Sequence, residues 1–401
     1  MKQKLHRRRQ RIFKRRSPFS SILKWGLPVV AIIALGFFGA KYFTEHPISS
    51  DDEASSHLTS QPQSSTAPSE SLPSDTATDS ADKPFQTLKA FYLPDSALAD
   101  EDALKSTLSQ AAQAGLDSVV LDMKDADGRL HYRSATAQAV QVNSFTETAK
   151  ELSSIKALFT TIRETGLKPI VRLYAFRDNA AARALADCRI GYQGQPGWVW
   201  YDGDPQNGGK AWLNPYSDGA QLYIIDLARE LRDAGAAAVL LDGVQFPSFT
   251  GSADFGSSSN TTLSHGEVLQ AFVEHARKLL GDACPVLLMC PEKSALGIDT
   301  RAYGANPLTF HATFAAPQLT LSAAPADNTS QAEMQARLTQ LTARINVMAA
   351  DEQPVLSPIL QTDNASTETL KQGIAACQSA GIRSYILFHT QGQYDFASLR
   401  S

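Results

Sequence analysis

Cysteine is scarce, and none of Cys188, Cys284, Cys290 and Cys377 forms a C-x-x-C pair or has a histidine at zinc-finger spacing. A metal framework is therefore not expected, and no cofactor is called for. Buried free thiols acting as small hydrophobes are the better reading, with a disulfide at Cys284 or Cys290 left open outside a reducing compartment. No G-x-G-x-x-G follows an apolar strand, and no G-x-S-x-G elbow or H-E-x-x-H occurs, which argues against dinucleotide binding, an α/β-hydrolase and a zinc protease. GDPQNGGKA places its glycines wrongly for a phosphate loop and has no Ser or Thr after Lys210. MKDADG would start a calcium loop on Met123, with no Glu at the twelfth position. His131, His275 and His311 lack partners at ligand spacing, which leaves them core or surface roles.

Acidic residues are missing from one end. Residues 1–41 carry 11 Lys or Arg and no Asp or Glu, leaving 26 basic against 41 acidic residues for the rest of the 401-residue chain. The uncharged run from Trp25 to Ala40, bordered by Lys24 and Lys41, makes residues 22–43 long and apolar enough to span a bilayer as one helix. Ten basic residues precede it and Glu45, Asp51, Asp52 and Glu53 follow it, so the positive-inside bias predicts a cytoplasmic tail (1–21) and an extracytoplasmic body. A cleaved signal peptide competes with the anchor, but the basic leader is 24 residues long and no clean A-x-A site follows. Nucleic-acid binding is not needed to explain the leader. Residues 44–84 are dominated by Ser, Thr, Pro, Asp and Ala, the composition of a disordered linker that cannot bury enough apolar surface to offset chain entropy. The N-x-S/T triplets at Asn260, Asn328 and Asn364 are read as chance.

From residue 85 to 401 one phrase recurs: an amphipathic helix, a glycine, then an apolar strand. Its instances are AGLDSVVLD, TGLKPIVRL, AGAAAVLLD and AGIRSYILF, with Gly115, Gly166, Gly235 and Gly381 at the joints. Strands reached from helices in this way pair in parallel. Eight candidates follow: 88–93, 118–124, 169–176, 237–244, 285–290, a weak one in 312–321, 354–360 and 383–390. Eight β/α units predict a (β/α)8 TIM-like barrel with insertions, whose active site lies at the C-terminal ends of the strands. Residues 125–151 open with DADGRLHY, which reads as a short hairpin, and residues 177–216 form a second long loop.

At those strand ends stand Asp122, Asp125, Arg172, Arg177, Asp178, Asp242, Glu292, Gln361, Asp363 and His389. Carboxylates dominate. Glycosidic cleavage needs one carboxylic acid to protonate the leaving oxygen and a second carboxylate as nucleophile or base, so Asp242, Asp122 and Glu292 are the catalytic candidates. An Asp at a strand end can equally cap a loop or pair with Arg172. The insertion after the third strand holds Tyr192, Trp198, Trp200, Tyr201, Trp212 and Tyr216. Flat aromatic faces suit the C–H faces of sugar rings, and they equally suit a small satellite core.

The phrases VVLDMKDADGRLHY (119–132), IVRLYAFRD (170–178), AWLNPYS (211–217), VLLDGVQFPS (239–248) and PILQTD (358–363) carry a resemblance. In their order and spacing the body resembles an uncharacterised bacterial family of glycosyl-hydrolase TIM barrels, secreted or membrane-anchored and distantly similar to the α-amylase superfamily. The resemblance runs from about Lys89 to about His389. It places Asp122, Lys124, Asp125, Arg172, Phe176, Asp178, Pro215, Asp242, Phe246, Pro247 and Gln361 on matching positions. The chain departs from the pattern at Gly243, where Tyr is usual, at Gln245 for Arg, at Asn214 for Asp, and at His389 for a Trp-Asn ending.

The combined reading is a membrane-anchored glycoside hydrolase acting on a cell-surface or cell-wall polysaccharide. Asp242 would be nucleophile or base, and Asp122 or Glu292 the acid. Lys124, Asp125, Arg172, Asp178, Trp198, Trp200, Trp212, Gln361 and His389 would contact or orient substrate. The partners are then a polysaccharide or oligosaccharide and, through residues 22–43, the lipid bilayer. A non-catalytic glycan-binding or scaffolding barrel is the alternative, and a membrane assembly protein a third.

Overall fold

The computed structural model describes Phe85 and residues 87–400, apart from Ser258, residues 322–327 and Asn364. The basic tail, apolar segment and linker expected over residues 1–84 lie outside the described residues. Among the described residues no helix is long and apolar enough to cross a membrane.

Eight parallel strands close into a barrel: β1 (Lys89–Leu93), β2 (Ser118–Lys124), β3 (Lys168–Tyr174), β4 (Ala238–Asp242), β5 (Val286–Pro291), β6 (Phe314–Thr320), β7 (Ile359–Gln361) and β8 (Tyr385–Phe388). Each pairs with its sequence neighbour, and β1 pairs with both β2 and β8, which completes the ring. Helices α1 (Glu101–Gln113), α2 (Leu152–Glu164), α3 (Asp218–Ala234), α4 (His265–Leu280), α5 (Asn328–Asn346) and α6 (Thr367–Ser379) return the chain. Between β5 and β6 only the short helix Glu292–Ala295 and a 3₁₀ turn at Pro307–Thr309 intervene.

The period of two along each strand sorts side chains between two cores. Ala90, Val120, Ile170, Leu240, Leu287, Ala316, Ile359 and Ile386 fill the barrel. Their neighbours Phe91, Val119, Val171, Leu241, Leu288, Ala315, Leu360 and Leu387 pack outward, toward the helices. Each fully buried Val, Leu or Ile contributes roughly 1.5–3 kcal/mol. The helices begin where the sequence supplies caps: Asp100 on Ala103 N, Ser217 on Ala220 N, a reciprocal Ser264–Glu267 box, and Ser366 on Thr369 N. They end at the expected joints, with Gly115, Gly166, Gly235 and Gly381 all at positive φ.

The weak sixth strand is a full seven-residue strand. The seventh is the interrupted one, split into Val355–Leu356 and Ile359–Gln361. Both pieces keep one register against β6, which sets Pro358 opposite Pro317. Neither proline can donate to the ladder there. The predicted hairpin follows β2: Leu130–Arg133 runs antiparallel to it, and Phe145–Glu151 adds a further strand. A separate three-stranded sheet, built from Gly191–Tyr192, Gln195–Val199 and Ala253–Asp254, joins the loops after β3 and β4. Phe246, Tyr216 and Phe255 cluster around His265 at the start of α4, with the Phe246 and His265 rings stacked at 3.7 Å. That cluster ties the same two loops to the barrel.

Candidate active site

At the C-terminal mouth, inward positions of β1, β2, β3, β4 and β8 bring Tyr92, Asp122, Arg172, Asp242 and Phe388 together. Arg172 is the centre. Its Nε and Nη2 donate to the two Asp122 oxygens at 2.5 and 2.9 Å, and its Nη1 lies 3.7 Å from Asp242 Oδ2. The guanidinium carbon sits 5.4, 5.4 and 5.2 Å from the ring centroids of Tyr92, Tyr174 and Phe388. A cation held over three aromatic faces has little freedom to move. Burial works against its charge, but Asp122 and then Asp242 outweigh that and raise its pKa above the ordinary value.

Asp122 also accepts a hydrogen bond from the Tyr92 hydroxyl at 2.8 Å, so both its oxygens are engaged. Tyr92 stacks on Phe388, with centroids 4.4 Å apart, and burial together with Asp122 pushes its pKa up, keeping it a donor. Asp242 is held differently. Its Oδ1 accepts the Gly243 N–H at 2.7 Å, while its Oδ2 is buried without a hydrogen-bond partner. Burial raises the pKa of this carboxyl. Arg172, the Tyr174 hydroxyl and the Gly243 N–H pull it down without cancelling that effect, and Asp122 adds to the rise.

Around β6, β7 and β8 runs a second polar arc. Gln318 Nε2 donates to Gln361 Oε1 at 3.0 Å, and Gln361 Nε2 to Asp363 Oδ2 at 3.0 Å. Thr390 donates its N–H and hydroxyl to Asp363. Burial opposes the Asp363 charge, but these hydrogen bonds prevail and hold its pKa below the usual range. His389 Nδ1 accepts the Gln391 N–H at 3.1 Å, which puts the ring proton of a neutral imidazole on Nε2.

Residues 90–287 match the family model described as "Putative glycosyl hydrolase domain". The matched stretch runs from β1 into β5 and contains Asp122, Arg172 and Asp242. No curated protein matches the chain. Among solved structures, a hypothetical protein from Ruminiclostridium thermocellum is 20% identical over 49% of this chain and 96% of its own, with a TM-score of 0.41. The glycoside hydrolase domain of PelA from Pseudomonas aeruginosa is 14% identical over 78% of this chain and 98% of its own, with a TM-score of 0.41. An exo-β-N-acetylglucosaminidase from Vibrio harveyi is 11% identical over 79% of this chain and 54% of its own, with a TM-score of 0.47.

Several residues expected at the glycosyl hydrolase site stand elsewhere. A bulge between Asp122 and Lys124 sets Lys124 opposite Leu173, an outward position, so Lys124 leaves the barrel interior. It lies wholly buried, 2.8 Å from the equally buried Asp178 and donating to the Tyr174 carbonyl. Neither side chain reaches solvent, and neither is placed to touch a substrate. Asp125 accepts from Asp127 N, Arg129 N and Arg129 Nε and thereby shapes the hairpin turn. Glu292 is taken by Arg337 of α5 rather than by the Asp122–Arg172–Asp242 group.

The insertion's aromatics divide. Trp200 and Trp212 are buried in a satellite core with Ile190, donating to Gly251 O and Asp202 Oδ2 at 2.9 Å each, so their faces are not available for sugar. Trp198 is 63% exposed, beside Tyr192. The four cysteines are buried free thiols. Among the described residues no group of three or more His, Cys, Asp or Glu side chains is arranged to hold a metal.

Sequence reasoning missed Tyr92, Tyr174, Gln318 and Phe388. The signal existed: Tyr92 is two residues after the inward Ala90, and Tyr174 two after Arg172. Gln245, where Arg is usual, accepts the Tyr303 hydroxyl at 2.9 Å.

Proposed function

We propose that the barrel is a glycoside hydrolase, tethered to a membrane by residues 22–43, with its body outside, and acting on a cell-surface or cell-wall polysaccharide. One observation carries the reading. Two carboxylates from separate strands meet a single guanidinium at the mouth, and burial gives one of them the proton-holding character of an acid. Asp242 is then the proton donor to the leaving oxygen and Asp122 the partner carboxylate. This reverses the role expected from sequence, where Asp242 was nucleophile or base. Arg172 and Tyr92 fix Asp122, while Gln361, His389 and the exposed Trp198 are left as sugar contacts. Lys124, Asp178, Trp200 and Trp212 have no such role, and Glu292 is not needed.

The test is release of reducing sugar by the purified full-length protein from a panel of wall and capsule glycans. Asp242→Asn and Asp122→Asn should each lower the rate by about 10²-fold or more. No release from any glycan, or release unaffected by Asp242→Asn, ends the enzyme reading. A non-catalytic glycan-binding barrel is favoured by one fact: Asp242 Oδ2 is shut from solvent, with Arg172 alongside. Glycan binding that survives Asp242→Asn without turnover would select it. The tether is tested by deleting residues 22–43, which should move the protein from the membrane to the soluble fraction.

A further inference from the structure

In ring order β6 and β7 lie across the barrel from β2 and β3. Period two from Phe314 and Ala316, which fill the barrel, makes Gln318 the inward residue at the end of β6, and the same count from Ile359 makes Gln361 the inward residue of β7. Both are partly exposed. Their amides are joined in one direction. Asp363 Oδ1 accepts the Thr390 N–H and hydroxyl at 2.7 and 2.5 Å, and its Oδ2 accepts Gln361 Nε2 at 3.0 Å. An ionised carboxylate can only accept, so the Gln361 amide has to turn its nitrogen toward Asp363 and its oxygen away. That oxygen takes Gln318 Nε2 at 3.0 Å and the Thr320 hydroxyl at 3.4 Å. The Gln318 nitrogen is thereby committed toward β7, and its carbonyl oxygen accepts from no group among the described residues.

We propose that Gln318 is a specificity-determining residue whose carbonyl oxygen accepts a hydrogen bond from a free ring hydroxyl of the sugar, with Gln361 and Asp363 as positioning residues that hold its amide in that sense. The inference rests on the reading of this mouth as a glycan site and adds the contact that selects the ring. A glutamine amide without partners flips freely, and so offers a ligand either its donor or its acceptor. Here a flipped Gln318 would set its oxygen against the Gln361 oxygen, and flipping Gln361 in response would set that oxygen against Asp363. The cost of opposing two acceptors therefore passes down the ladder to the carboxylate, which has no flipped form. Hydrogen bonds hold the Asp363 pKa below the usual range, so the ladder keeps its direction at neutral pH. An acceptor fixed in this way discriminates. A hydroxyl satisfies it, whereas a carboxylate, an ester or an ether oxygen at the same point leaves it unpaired.

The experiment is calorimetric binding of cellotetraose, maltotetraose, laminaritetraose and N-acetylated chitotetraose to the full-length protein carrying Asp242→Asn, which keeps the sugar whole. Gln318→Met keeps the length of the side chain and removes its amide, and should weaken the tightest-bound tetrasaccharide about tenfold. Asp363→Asn replaces the obligate acceptor by an amide that can flip, and should weaken it about threefold. The ladder also has its own signature in a ¹⁵N–¹H spectrum. The Gln318 side-chain NH₂ pair, assigned by its loss in Gln318→Met, should shift in Asp363→Asn although no hydrogen bond joins the two residues. Unchanged affinity in Gln318→Met overturns the proposal and leaves the glycan reading standing. An unmoved Gln318 signal in Asp363→Asn overturns the part assigned to Gln361 and Asp363. Where the protein with Asp242 intact cleaves a glycan, Gln318→Met should raise KM about tenfold with kcat nearly constant. Affinity lost in Gln318→Met with no cleavage of any glycan supports the contact and counts against the hydrolase reading alone. If none of the four sugars binds, the glycan reading of the mouth fails and the proposal with it.

Discussion

Lys124→Met measures what the β2 bulge accomplishes. The Lys124 and Asp178 side chains are both inaccessible to solvent and lie 2.8 Å apart, with Lys124 also donating to the Tyr174 carbonyl at 2.6 Å. Asp178 has a second task, since its Oδ1 accepts the Ala181 N–H at 2.7 Å and caps the short helix Asn179–Ala184. Removing the lysine leaves a buried carboxylate without its cation, a change that typically costs about 3–5 kcal/mol. At roughly 2–4 °C per kcal/mol for a large domain, the melting temperature should fall by roughly 6–20 °C. Lys124→Met combined with Asp178→Asn removes both charges and keeps a competent cap, so it should recover at least half of that loss. The assay is urea and thermal denaturation of both variants beside wild type, followed by circular dichroism. A loss below about 1 kcal/mol in the single variant, or a double variant worse than the single, would refute the placement of this pair as a closed ion pair behind the barrel wall.

Other substitutions separate the remaining roles. Trp200→Ala or Trp212→Ala should cost about 3–5 kcal/mol or melt the insertion, whereas Trp198→Ala should stay within about 0.5 kcal/mol and show itself only in glycan affinity. Glu292→Gln should leave turnover intact and change stability by less than about 1 kcal/mol, because its partner Arg337 is a third exposed; a collapse of turnover would return Glu292 to the catalytic group. Asp242 gives a pH signature. Its folded pKa is raised above the unfolded value of about 3.9, so the native state holds the proton more tightly. Stability should therefore fall as pH rises from about 4 through the folded pKa and remain lower above it. Asp242→Asn abolishes that slope and should melt higher than wild type at pH 7 but not at pH 4. Equal differences at both pH values would contradict the assignment.

The barrel was legible because its signal is repeated. Four glycine joints and eight apolar strands obey one rule, and a single weak member such as 314–320 is supported by its neighbours on both sides. Asp122, Arg172 and Asp242 were legible for the same reason, standing at inward positions of strong strands. What failed was local geometry that composition does not encode. A bulge moved Lys124 to the other face, and satellite packing buried Trp200 and Trp212 while exposing Trp198, although all three stand in one aromatic run. Arg337 claimed Glu292 from 45 residues away. Tyr92 and Tyr174 were readable from period two, but an aromatic within an apolar strand resembles core until its surroundings are seen: the Tyr92 hydroxyl meets Asp122, and the Tyr174 ring lies beside the Arg172 guanidinium.

The bulge links these failures to the chemistry. Had β2 kept its alternation, Lys124 would have pointed inward with Asp122 and brought a second cation into the mouth beside Arg172. A lysine within reach of Asp242 would favour its ionised form and oppose the rise that burial gives its pKa. By turning outward, Lys124 neutralises Asp178 at the start of the long insertion instead. Arg172 is left to meet both carboxylates unequally, with two hydrogen bonds to Asp122 and a 3.7 Å approach to Asp242. Under the hydrolase reading proposed above, that inequality is what a general acid and its charged partner require of their surroundings. It follows from one extra residue in β2 and a guanidinium caged by three rings.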